Sequence, residues 1–235
     1  MPGAGAGYSH LHQLLIRLKE VRDKLTRGPR QIQVRRRKIE EAQAVVVQKE
    51  AELKEIRAAS DRKNLELRSK EVHLEGLQTK LNQATSNKEF DIIRGQMQAD
   101  NAAKAVLEDE VLESLDRADA LQAEIVGCNA LIGEMEDDAR SFANDFEKLA
   151  VTLHEQERQL QAAISDAEGV IPGPMKEQYR RLVDAYGADG MASVEKGVCN
   201  HCFVNLTPQL EVVVQSGKLI VCHSCGRLLY PSSET

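Results

Sequence analysis

The sequence predicts a mainly α fold: a long antiparallel coiled-coil helical hairpin followed by a small C-terminal β module. Three observations predict it. Apolar residues recur at alternating steps of three and four along two stretches that fill most of the 235 residues. Aromatics make up 3% of the chain and charged residues 29%, with no Trp, which suits long helices better than a globular core. Four of the five cysteines gather near the C-terminus, where β-branched residues and glycines replace the helical pattern.

The opening MPGAGAGYSH lacks a basic stretch followed by an apolar one, so it is not expected to be a signal peptide, and residues 1–7 are expected to form a disordered tail. The first seam begins at Leu11, Leu14, Leu18, Val21 and Leu25 and keeps its register through Gly28, Ile32, Ile39, Val46, Leu53, Ser60, Leu67 and Leu77 to Ala84. Pro29 lacks a backbone N–H and disfavours helix at the preceding residue, so a kink or short break is expected near 28–29. The second seam runs from Phe90 and Ile93 through Val111, Leu121, Ile125, Cys128, Ile132, Phe142 and Phe146. It is expected to continue as Leu149, Leu153, Gln156, Leu160, Ala163 and Ala167. A seven-residue repeat of this length requires a partner helix.

That partner is the first helix folded back. Between the seams lies TSNKEF, where Ser86 and Glu89 have the spacing of a capping box, so the turn falls near 84–87 and the hairpin spans 8–168. A short connection makes the helices antiparallel neighbours, and residues whose numbers sum to roughly 174 should face one another. The basic run RRRK at 35–38 then lies opposite the acidic EMEDD at 134–138, and Lys70 lies near Asp100. Such pairing favours a register-setting role for RRRK over a phosphate-binding one. Cys128, on the apolar seam, reads as core. His10, His12, His73 and His154 have no companion ligand at close spacing and are expected on solvated surface.

The stretch GVIPGPMK breaks the second helix, and residues 169–190 read as a linker carrying a short helix from about Pro174 to Tyr186. From 191 to 235 the pattern is β. ASVEKGVC reads as a strand, LEVVVQSGKLIVC as a hairpin around SG, and RLLY as a last strand. A module of about 45 residues is too small to fold on burial alone. Its staple is C-x2-C-x19-C-x2-C: Cys199, Cys202, Cys222 and Cys225, a zinc-binding spacing. His201 and His223 lie inside the two knuckles. Four thiolates already complete a tetrahedron, so the all-cysteine site is favoured over a His-for-Cys exchange. A closed set of four ligands, with no H-E-x-x-H or comparable acid–base group, implies one structural Zn2+ and no enzymatic activity. Gly226 follows the last cysteine, where a knuckle benefits from a residue without Cβ; Phe203 holds the equivalent place in the first knuckle.

Clustered thiols without a disulfide pattern fit a reducing cytoplasm. No apolar run of about 18 residues marks a membrane span. The net charge of −6 argues against a general nucleic-acid binder. Within the last module Lys196, Lys218 and Arg227 are offset by Glu195, Glu211 and Glu234.

Taken together, Asn87-Lys88-Glu89-Phe90 at the turn, Ile171-Pro172 and Tyr179 in the linker, and the C-terminal residues resemble the bacterial four-cysteine (C4-type) zinc ribbon domain family. The C-terminal match comprises Cys199, Cys202, Leu206, Pro208, Gln209, Cys222, Cys225, Gly226, Arg227, Leu229 and Tyr230. The resemblance covers nearly the whole chain. It implies a coiled-coil hairpin followed by a zinc ribbon, and an adaptor or chaperone-like protein. Partners implied are a sigma factor or secretion and flagellar components, with RNA or DNA binding through the ribbon as the alternative. Candidate partner-binding residues are Asn87, Lys88, Glu89 and Phe90 at the tip, and Arg180 and Arg181 on the short helix.

Overall fold

A computed structural model describes residues 4–232. Two helices, α1 (Ala4–Gln83) and α2 (Asn87–Ala167), pack together as a long hairpin. A shorter helix α3 (Lys176–Tyr186) and a small C-terminal module of four strands and one helix follow. The chain divides into two compact units, 34–140 and 1–33 with 141–235.

In the unit 34–140 the expected seams are the buried faces, except that Phe90, expected to begin the second seam, is exposed at the turn. Ile39, Val46, Leu53, Ala118, Leu121, Ile125 and Ile132 form one apolar cluster, with Ala42, Ile56, Cys128 and Met135 packed at its edges. Each fully buried aliphatic contributes about 1.5–3 kcal/mol. Interhelical ion pairs sit at the expected register. Arg35 Nε is 3.0 Å from Asp138, Lys63 Nζ 3.0 Å from Glu110, and Lys70 Nζ 2.8 Å from Asp100. RRRK does face EMEDD through Arg35 and Asp138. These pairs lie at the half-buried to exposed edge of the seam, so they select register more than they stabilise. At the turn the Ser86 hydroxyl accepts from the Glu89 backbone N–H at 3.3 Å, and the Glu89 carboxylate accepts from the N–H of Thr85. The reciprocal cap closes one residue wider than the minimal box.

In the other unit three expectations are corrected. First, α1 starts at Ala4 rather than after a tail, and Gly5 and Gly7 allow its first turns to pack closely. A Cβ on Gly7 would lie 2.7 Å from a methyl of Val170, and one on Gly5 would lie 2.9 Å from the Pro231 ring. Residues 1–3 lie outside the described residues. Second, no break interrupts α1 at Pro29. The clash that normally bars helix before proline involves the preceding Cβ, and Gly28 has none. Third, the second seam shifts. Leu149 (48% exposed) and Gln156 face solvent, whereas Ala150, Glu157 and Ile164 turn inward with Leu153. The step of four from Phe142 to Phe146 is followed by another of four to Ala150, which is the four-residue insertion of a stutter.

The base of the hairpin is where the C-terminal module sits. Tyr8, Leu11, Leu14, Leu15 and Leu18 of α1 share one core with Ile164, Ile171, Tyr179, Leu182, Met191, Leu219, Leu228 and Tyr230. In α3 the Tyr179 and Leu182 side chains point inward and Tyr186 outward. The strands β1 (Met191–Glu195), β2 (Val198–Cys199), β3 (Ile220–Val221) and β4 (Leu228–Pro231) form one sheet in the order β2-β1-β4-β3. β1 runs parallel to β4, and the other pairs are antiparallel.

The expected hairpin around SG is replaced by a helix, α4 (Pro208–Gln215). Its Val-rich sequence reads as strand locally. Pro208 in the first turn and the four-residue spacing of Leu210 and Val214, the faces that meet the module core, decide for helix.

His12 corrects the expectation of a solvated surface. Its Nδ1 is 2.8 Å from the Tyr230 hydroxyl, its ring meets the Tyr230 ring edge-on at 5.5 Å, and the Ala188 carbonyl accepts from it. Burial, more than offsetting Ala188 and Asp189, holds its pKa below the usual value. The unfolded chain therefore takes up this proton near pH ~6.5, before the folded one does. Stability contributed by neutral His12 is full above that pH and is lost as pH falls toward the folded pKa. His12→Gln should flatten this dependence between pH 7.5 and 5.5 in urea unfolding; an unchanged slope would contradict the assignment.

Candidate metal centre

The centre is built by two equivalent knuckles. In the first, after β2, the Phe203 N–H donates to the Cys199 carbonyl at 2.8 Å, and the Cys199 N–H donates to Val204 at 3.1 Å. In the second, after β3, Gly226 donates to Cys222 and Cys222 donates to Arg227, each at 2.8 Å. Each knuckle closes on a left-handed residue, Phe203 at φ 57° and Gly226 at φ 76°. Gly226 takes that conformation freely. Phe203 takes it at a cost of about 1–2 kcal/mol, and its ring is 78% exposed.

The sheet brings the knuckles together. Cys199 Sγ lies 3.9 Å from Cys225 Sγ, Cys202 Sγ lies 3.8 Å from Cys222 Sγ, and all four sulfurs lie within 4.8 Å of one another. Four thiolates at about 2.3 Å from a tetrahedral ion stand about 3.8 Å apart, so the donor set fits one ion. Cys199 and Cys222 are buried in a core with Ala192, Val194, Leu206, Val214 and Leu229. His201 and His223 are exposed, and the four-sulfur cluster forms without them.

Backbone N–H groups support the sulfurs. The Val204 N–H, the largest influence on Cys202, draws that thiol down to about 7. Burial pushes Cys225 up to about 12 and raises Cys199, against N–H groups of Arg227 and of Cys202 and His201 respectively. Four crowded thiols do not all ionise alone; a dication at their centre offsets the repulsion and desolvation.

Arg227 ties this centre to its surroundings, a role the sequence spacing did not indicate. Its guanidinium donates to the Cys225 carbonyl at 2.9 Å and to the Asp189 carbonyl at 3.2 Å, and lies 4.9 Å over the Tyr186 ring. Lys19 of α1 binds the Asp189 carboxylate at 2.6 Å. Of the other candidate residues, Asn87, Lys88, Glu89 and Phe90 are exposed at the turn, and Arg180 and Arg181 are exposed on α3. Among the described residues no helix is long and apolar enough to cross a membrane.

No family model matches the chain, and no curated protein does. Among solved structures it is similar to CT398 from Chlamydia trachomatis, at 17% identity and a TM-score of 0.73, over 97% of this chain and 98% of that one. It is also similar to a protein from Mycobacterium smegmatis, at 17% identity and a TM-score of 0.50, over 97% of this chain and 99% of that one. At these identities the likeness is one of fold alone.

Proposed function

We propose that the chain is a non-enzymatic, cytoplasmic zinc-binding adaptor whose hairpin presents recognition surfaces to protein partners. The observation that carries this reading is the closed set of four sulfurs. It leaves no ligand position for a substrate, and its module packs into the core at the hairpin base. All-thiolate donors at these spacings suit Zn2+. The resemblance to the four-cysteine zinc ribbon family supports a sigma factor or a secretion or flagellar component as the partner class. The tip supports protein recognition as well. Phe90 is 42% exposed and Ile92 54% exposed, near the exposed Lys88. A turn needs only its cap, not exposed apolar side chains beside it.

The test is capture of partners by the full chain from a lysate with and without nuclease, compared with the Asn87→Ala/Lys88→Ala variant. Partners that persist after nuclease and are lost in the folded variant support the reading. Survival of every interaction in that variant removes the tip. The exposed Arg180 and Arg181 support a second reading, RNA or DNA binding; it predicts capture that nuclease abolishes and affinity that falls steeply with salt.

A further inference from the structure

The flank of the unit 34–140 carries a groove that neither the metal centre nor the tip accounts for. Its cavity measures about 580 Å³ and lies between Val34, Arg35 and Lys38 of α1 and Leu131, Glu134, Met135 and Asp138 of α2. Its apolar walls face solvent: Val34 is 55% exposed and Leu131 60%. Val45, 46% exposed, extends the same face of α1 because eleven residues bring a helix back almost to its starting angle.

Charge decides what fits. Arg35 and Asp138 pair within the chain at 3.0 Å and mark one height on the hairpin. One turn toward the tip, Lys38 stands on the α1 rim and Glu134 on the α2 rim, and among the described residues neither has an ion-pair partner. A groove with one basic rim and one acidic rim is complementary to itself under one operation only, a two-fold axis parallel to the helices. That axis sets the α1 rim of each copy against the α2 rim of the other at equal height. Lys38 then meets Glu134 of the second copy twice, and Val45 comes within about one helical turn of the height of that copy's Leu131. A perpendicular axis would instead oppose the two basic rims.

We propose that this groove is the self-association surface of the chain, forming a parallel two-fold dimer through Lys38–Glu134 pairs flanked by Val45 and Leu131. Isologous contacts of this kind are the commonest route to homodimers. The apolar patch is small against the ~800 Å² per partner of stable interfaces, so the dimer is a weak one.

The test is sedimentation equilibrium of the full chain over a wide concentration range, with helical circular dichroism confirming folding. The wild type should show a concentration-dependent dimer. Lys38→Glu and Glu134→Lys should each raise the dissociation constant by at least about tenfold, because like charges are then opposed twice. The Lys38→Glu/Glu134→Lys variant should restore it. A wild type that stays monomeric up to about millimolar concentration, a dimer indifferent to the single swaps, or a double swap that fails to restore association overturns the proposal. The first of these outcomes would leave the groove to a different protein.

Discussion

Stripping the metal with a chelator, or replacing Cys222 by Ser, is expected to unfold residues 191–232 while leaving most of the helical signal in place. The module's own core is Ala192, Val194, Leu206, Val214 and Leu229 around the buried Cys199 and Cys222. So few apolar side chains do not offset the ordering of about 45 residues. Structural zinc in comparable small modules supplies on the order of 10 kcal/mol of folding free energy. Loss of the ion should therefore expose the strand amides to hydrogen exchange and open the chain to proteolysis beyond β1. It should also uncover Leu11, Leu14 and Leu18, which share a core with Leu228 and Tyr230. His223→Ala, at an exposed position between two ligands, should change none of this. A module that keeps its protection after metal removal, or a His223 variant that behaves like Cys222→Ser, would refute a four-cysteine structural site.

Gly28→Ala is expected to cost about 2–3 kcal/mol in urea or thermal unfolding, a result opposite in sign to the ~1 kcal/mol that helix propensity alone would return. An added Cβ would lie 2.0 Å from Phe146 Cε2, with two further ring atoms within 2.4 Å. It would also meet the ring of Pro29 that Gly28 now tolerates. Phe146→Leu in the same chain should recover part of the loss, because the two side chains compete for one space. Strict additivity of the two substitutions would show that Phe146 is not the obstacle. The same pair explains why α1 passes through a proline and why the seam of α2 shifts just after Phe146. The large ring fills the place of a missing Cβ, and the next inward residue becomes Ala150 instead of Leu149.

The hairpin was legible because its causes are local or periodic. The steps of three and four from Leu11 to Ala84 and from Ile93 to Phe146 define a buried stripe. Ser86 and Glu89 define the turn, and opposite charges such as Lys70 and Asp100 define the register. The four-sulfur cluster was legible because two C-x2-C pairs are sufficient chemistry for a tetrahedral site. Gly226 announced the closure of the second knuckle, whereas Phe203 in the first takes its left-handed φ against its own preference. None of these depends on which distant surface the segment meets.

What remained hidden depends on that meeting. LEVVV has the β-branched composition of a strand, yet the module core accepts only Leu210 and Val214 from it, at helical spacing. Leu149 and Gln156 continue a perfect repeat, yet Phe146 over Gly28 diverts it. His12 and the glycines beside it looked like a loose terminus until Tyr230, Val170 and Pro231 closed on them. The amino-acid order alone thus determines the two helical arms, the turn between them and the four sulfurs. Tertiary contact decides the direction of α4, the stutter, the parallel pairing of β1 with β4, and the seat of the module on Tyr8–Leu18. Burial energy between segments far apart in sequence exceeds the fraction of a kcal/mol per residue that local propensity supplies.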